Sequence, residues 1–76
     1  MNIEQVKTIY NKNGKVMFTV YGLDYTIEKV DNRVKIYANL YQNKSKSYRD
    51  IDVLLNNYLI YGEELVSYNN KIQNIH

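Results

Sequence analysis

The sequence predicts an α+β domain: a four-stranded antiparallel β-meander with one amphipathic helix packed on one face. Three observations carry that prediction. Apolar and polar residues alternate from Lys15 to Tyr41, two turn signals inside that stretch select the same apolar face, and after Tyr41 the apolar period becomes that of a helix. Taking Tyr21-Gly22 as a two-residue hairpin loop sets Val20 against Leu23, Phe18 against Tyr25 and Val16 against Ile27, with Lys15 opposite Glu28 on the other side. Taking Asp31-Asn32 as the next turn sets Ile27 against Ile36, Tyr25 against Ala38 and Leu23 against Leu40, with Glu28 against Lys35 behind. A slip of one residue in either hairpin inverts every side chain, so the agreement of two independent turns supports this register. Strands near residues 15–21, 24–30 and 33–41 follow.

Residues 4–10 complete the meander. Ile3, Val6, Ile9 and Tyr10 also suit a short helix with Asn2 as its cap and Gln5 reaching back. The β-branched Val6, Thr8 and Ile9 favour a strand, as does a three-residue loop at Lys12-Asn13-Gly14 with glycine in the left-handed position. On that pairing Val6, Thr8 and Tyr10 align with Val20, Phe18 and Val16. Ile51, Leu54, Leu55, Tyr58 and Leu59 form one stripe of a helix near residues 48–59, opened by a capping arrangement of Ser47 with Asp50. Laying that stripe on the Phe18, Ile27, Ile36 face buries both, the two-layer logic of an α+β domain. Gln42 to Lys46 is then a polar crossing loop. Tyr61-Gly62 marks a turn, and Leu65 to Tyr68 has room for a short C-terminal strand or extended segment. Residues 69–76 read as a frayed polar tail, although Leu65, Val66, Ile72 and Ile75 are apolar enough to close the outer face of the sheet.

The chain has 76 residues, with ten Lys plus Arg against eight Asp plus Glu, no Cys, Pro or Trp, and nine Tyr against one Phe. A chain this short buries only about 60 % of its unfolded surface, which allows one domain over 1–76 and no deep cofactor cleft. Without cysteine there is no disulfide framework, thiolate metal site or thiol nucleophile. No apolar run approaches the length of a membrane span, and no export signal opens the chain, so a cytoplasmic protein is expected. Abundant Asn, Lys, Ile and Tyr, all with AT-rich codons, suggest an AT-rich genome such as that of a low-GC bacterium or its phage.

Side chains for catalysis are scarce. The only histidine is His76, at a position where disorder is the ordinary expectation. The acidic pairs Asp50 with Asp52 and Glu63 with Glu64 lack a surrounding loop of ligands. Asp24 and Glu28 on one strand are about 13 Å apart at the usual rise, beyond the roughly 5 to 10 Å of paired glycosidase carboxylates. The glycines stand singly and form no phosphate-cradling loop. The sequence therefore implies a non-enzymatic protein with no metal, cofactor or small-molecule substrate.

Tyrosine is the unusual feature. Tyr10, Tyr25 and Tyr58 fall on core positions, whereas Tyr21, Tyr37 and Tyr41 fall on the outer face of the sheet beside Met17, Thr19, Thr26 and Val30. No acidic residue interrupts the interval from Asp31 to Asp50, which holds Arg33, Lys35, Lys44, Lys46 and Arg49. Two functions compete for this surface. One is protein contact or self-association, for which Tyr, Met and Arg are enriched at interface centres, in a regulator or inhibitor from a phage or mobile element. The other is weak single-strand nucleic-acid binding, with Tyr21, Tyr37 and Tyr41 stacking bases and the basic residues following the backbone.

Overall fold

The computed structural model describes residues 2–76 and is α+β. In chain order come α1 (Asn2–Asn13), β1 (Lys15–Val20), β2 (Leu23–Val30), β3 (Arg33–Ala38), a 3-10 segment (Asn39–Lys44), β4 (Lys46–Tyr48), α2 (Ile51–Asn57), β5 (Leu59–Ile60), β6 (Glu63–Glu64), a second 3-10 segment (Leu65–Tyr68) and β7 (Ile72–Gln73). Five strands form one antiparallel sheet in the order β4-β3-β2-β1-β7, and β5 pairs with β6 in a separate ribbon.

The pairing of β1, β2 and β3 is the one the turns predict. Val16 faces Ile27, Phe18 faces Tyr25, Ile27 faces Ile36, and Glu28 lies between Lys15 and Lys35 on the opposite face. Phe18, Ile27 and Ile36 are buried, whereas Lys35 and Tyr37 point the other way and are half-buried. Only the expected pairing of Leu23 with Leu40 fails. β3 ends at Ala38, the chain turns into the 3-10 segment, and Leu40 is 75 % exposed. The polar loop expected over 42–46 is the rest of that segment followed by β4, which pairs with β3.

Residues 2–13 are a helix, which corrects the strand expected near 4–10. Ile3, Val6 and Tyr10 recur at helical spacing and bury their side chains against the inner face of the sheet. Their tertiary burial outweighs the β preference of Val6, Thr8 and Ile9. Gly14 is left-handed, with φ +74, but it ends the helix instead of turning a hairpin: its N–H donates to the Tyr10 carbonyl at 2.7 Å. Its carbonyl accepts from Lys29 N–H at 2.9 Å, which ties the helix end to β2.

α2 occupies 51–57, within the expected 48–59. Asp50, and not Ser47, is the N-cap, its Oδ1 accepting from Val53 N–H at 2.9 Å. That bond, with Arg49 alongside, holds the Asp50 carboxyl below the usual carboxylate range. Ile51, Leu54 and Leu55 of the predicted stripe are buried, while Leu59 has left the helix for β5 and is exposed. Lys7 of α1 and Asp52 of α2 meet at 2.9 Å, so the helices lie side by side on the inner face.

The last residues are ordered as a strand. β7 pairs with β1, Thr19 opposite Gln73 and Val20 opposite Ile72, and His76 exchanges both backbone hydrogen bonds with Met17 at 3.1 and 2.9 Å. Two residues, Asn74 and Ile75, therefore stand opposite Phe18 alone. That is a β-bulge, with Asn74 left-handed at φ +53. The extra residue lets Ile72 and Ile75, three apart, both join the core. Asn69 Oδ1 accepts from Ile3 N–H at 3.0 Å and Asn2 Nδ2 donates to the Ile72 carbonyl at 2.6 Å, fastening this segment to the start of α1. The frayed tail expected over 69–76 is thus replaced by pairing. Leu65, Tyr68 and Ile72 enter the same core as Phe18 instead of closing the outer face. Among the described residues no helix is long and apolar enough to cross a membrane.

Phe18 is almost wholly buried and stacks on Tyr25. Phe18→Ala is expected to lower the unfolding free energy by about 3–5 kcal/mol, read by urea denaturation, with most of a small domain's stability lost. Leu40→Ala, at an exposed position, is expected to shift it by less than about 0.5 kcal/mol.

Candidate functional site

Hairpin geometry decides where the tyrosines go. Tyr21 and Gly22 have φ +51 and +75, and Tyr61 and Gly62 have φ +52 and +81. Positive φ at both central residues is the turn whose twist matches the flanking strands, and its first position is normally Asn, Asp or Gly. A tyrosine there carries a left-handed penalty of about 1–2 kcal/mol. Burial does not offset it, since Tyr21 is 58 % and Tyr61 78 % exposed.

The two turns meet. The Tyr21 ring lies 6.0 Å from that of Tyr61 and 5.7 Å from that of Tyr68, edge-on to the latter. Tyr68 is buried and donates its hydroxyl to the Ile60 carbonyl, so it anchors β5 beneath the exposed pair. Lys71 Nζ sits 5.9 Å from the Tyr21 ring. Behind them Tyr25 stacks on Phe18 at 5.6 Å and meets Tyr58 edge-on at 6.3 Å. A pocket of about 250 Å³ opens beside this row, lined by Leu23, Tyr25, Ala38, Tyr41, Lys44 and Tyr58. Leu40, Leu59 and Val66 are exposed in the segments that carry these rings. The end of the sheet where β2 begins and β3 stops is therefore rich in exposed aromatic and aliphatic surface.

The residues singled out in the sequence do not share one surface. Tyr21 is at the hairpin tip, and Tyr41 lines the pocket with Lys44 Nζ 6.0 Å from its ring; neither lies on the outer face of the sheet. Tyr37 does lie there, with Lys35 Nζ 5.6 Å from its ring. Lys46 is on the edge strand β4. Arg33 donates to Ser47 through Nε at 2.7 Å and Nη2 at 3.3 Å, and Arg49 pairs with Asp50 at 3.1 Å. The outer face itself is more polar and more self-satisfied than its composition suggests. Thr19 bonds Asp24 and Thr26 bonds Asn39, each at 2.6 Å, and both threonines are buried. Leu59, Tyr61 and Lys71 join the surface unanticipated, over the buried Tyr68 and the half-buried Tyr58. The repeated Tyr-Gly pair at 21–22 and 61–62 was the available signal, since both read as turns and only their meeting in space was hidden. Comparison with known proteins gives no match to a family, a curated protein or a solved structure.

Burial pushes the Tyr25 phenol up to about 12, and the neighbouring phenols of Tyr58, Tyr61 and Tyr68 add to the shift. A raised folded-state pKa on a phenol means that this stabilisation is complete below the unfolded value near 10 and is lost as pH climbs through the folded one. Absorbance at 295 nm is expected to show a late-titrating phenol that Tyr25→Phe removes. Tyr61→Asn places the preferred residue at the left-handed position and is expected to keep the unfolding free energy or raise it by up to about 1 kcal/mol. A drop beyond about 1 kcal/mol in urea denaturation would mean that Tyr61 is held there for stability.

Proposed function

We propose that this domain is a non-enzymatic binding module that docks another protein through the tyrosine-rich end of its sheet. The observation that carries the reading is the pair Tyr21 and Tyr61, held in left-handed turns, in contact with each other and exposed to water. Backbone strain clusters at active sites, ligand clamps and switch regions, and at these two tyrosines it is retained without burial. Tyrosine suits that task, because it offers a large amphipathic contact area with only two side-chain torsions to immobilise. The adjoining pocket fits one apolar side chain of the partner, with Lys44 at its wall. A domain of this kind would act by occupying its partner, as a regulator or inhibitor does.

Single-strand nucleic-acid binding is supported less well. It asks Tyr37 and Tyr41 to stack successive bases along one cationic track, yet Tyr37 lies on the outer face with Lys35 and Tyr41 lies in the pocket on the other side.

The test isolates a partner by affinity capture, purifies it, and measures Kd by calorimetry. Tyr21→Ala with Tyr61→Ala is expected to weaken binding at least 30-fold, the scale of an interface hot spot. Tyr37→Ala is expected to change it by less than twofold. Equal losses at the two places, or a partner indifferent to Tyr21 and Tyr61, would count against the assignment. Sedimentation at several concentrations separates a foreign partner from a second copy of this chain.

A further inference from the structure

At the opposite end of the sheet the surface chemistry inverts. A groove of about 500 Å³ runs between the end of α1, the β2–β3 turn and the start of α2, with Asn11, Lys29, Asn32, Arg33, Arg49 and Asp50 on its walls and the buried Val34 in its floor. We infer that this groove is a binding site for a phosphate monoester. It is independent of the tyrosine-rich end, and nothing in the protein-contact reading requires it.

Charge supplies the first argument. Three cations and one carboxylate line the groove, an excess of two positive charges. Asp50 is already committed: Oδ1 accepts from Val53 N–H at 2.9 Å and Oδ2 from Arg49 Nε at 3.1 Å. Among the described residues the ion pairs are Lys7 with Asp52 and Arg49 with Asp50, so Lys29 and Arg33 have no carboxylate partner. Asp31 stands in the adjoining turn but does not line the groove, and Glu28 faces the outer side between Lys15 and Lys35. A phosphate monoester carries close to two negative charges at neutral pH, which matches the excess.

Geometry supplies the second argument. Arg33 is already oriented by its two hydrogen bonds to Ser47 across the β3–β4 pair, so less side-chain freedom remains to be lost on binding. Lys29 rises from β2, where its backbone N–H is bonded to the Gly14 carbonyl. Arg33, Arg49, Lys29, Asn11 and Asn32 bring N–H donors to the groove lining from four segments, and Arg33 and Arg49 keep Nη hydrogens beyond those already bonded to Ser47 and Asp50. A phosphodiester carries half the charge and fits the excess less well.

The experiment is a 15N NMR titration at pH 7.5 in low-salt, phosphate-free buffer, with inorganic phosphate, adenosine monophosphate and O-phosphoserine as separate probes. Saturable shifts confined to Lys29, Asn32, Arg33, Ser47 and Arg49 are expected, with binding of the two monoesters about two- to fourfold weaker at pH 5.5, where the monoester is mainly a monoanion. Arg33→Gln with Arg49→Gln is expected to weaken it at least tenfold while the remaining spectrum keeps its dispersion. Stronger binding of the nucleotide assigns a nucleotide source, stronger binding of phosphoserine a phosphorylated side chain, and equality the phosphate group alone. Shifts spread over all lysines without saturation, or an affinity indifferent to the double substitution, would overturn the site. Tyr21→Ala with Tyr61→Ala is expected to leave this titration unchanged, so the two ends can fail separately.

Discussion

The register of β1, β2 and β3 is the constraint on which the molecule depends. With Phe18, Tyr25, Ile27 and Ile36 turned inward, both helices and the C-terminal segment have a face to cover. With the register displaced by one residue, the same strands would offer Lys15, Met17, Thr26, Lys35 and Tyr37 to those helices, and no core would form. Neither hairpin is long, so each depends on its turn. The twist-matched geometry at Tyr21-Gly22 is therefore a condition of the core.

Those strands were legible because two signals agreed, namely turn chemistry and alternation. α2 was legible because its stripe of Ile51, Leu54 and Leu55 has no strand-like reading. α1 was not, because Ile3, Val6 and Tyr10 fit a helix while Val6, Thr8 and Ile9 fit a strand, and Gly14 takes the same left-handed conformation in either. Only the third dimension breaks that tie: the inner face is too large for α2 alone to cover. The end of the chain was hidden for a different reason. Ile72 and Ile75 have a spacing that no regular strand buries, and only the bulge at Asn74 reconciles them with β1.

The candidate site was legible in its residue type but not in its place. Tyrosine excess pointed to contact, yet alternation placed Tyr21 and Tyr41 by extending strands through positions where the chain bends away. The basic interval from Arg33 to Arg49 is real as sequence, but the sheet divides it. Lys44 goes with the rings at one end, while Arg33 and Arg49 line one groove with Lys29 at the other. The domain is consequently polarised along its strands, aromatic where β2 begins and cationic where it ends.

One feature of the sheet bears on how the protein behaves in a crowded solution. β1 is a six-residue strand carrying Val16, Phe18 and Val20, and its outer rim of amides and carbonyls is occupied by a short run of residues, 72 to 76, held through few bonds. If that run lifts away, the exposed rim becomes a template for another polypeptide, and fibril growth or exchange of the run between molecules follows from the same hydrogen bonds. The bulge and the clasp of Asn2 and Asn69 thus serve as a guard against aggregation, and their strength sets how often that rim is bare.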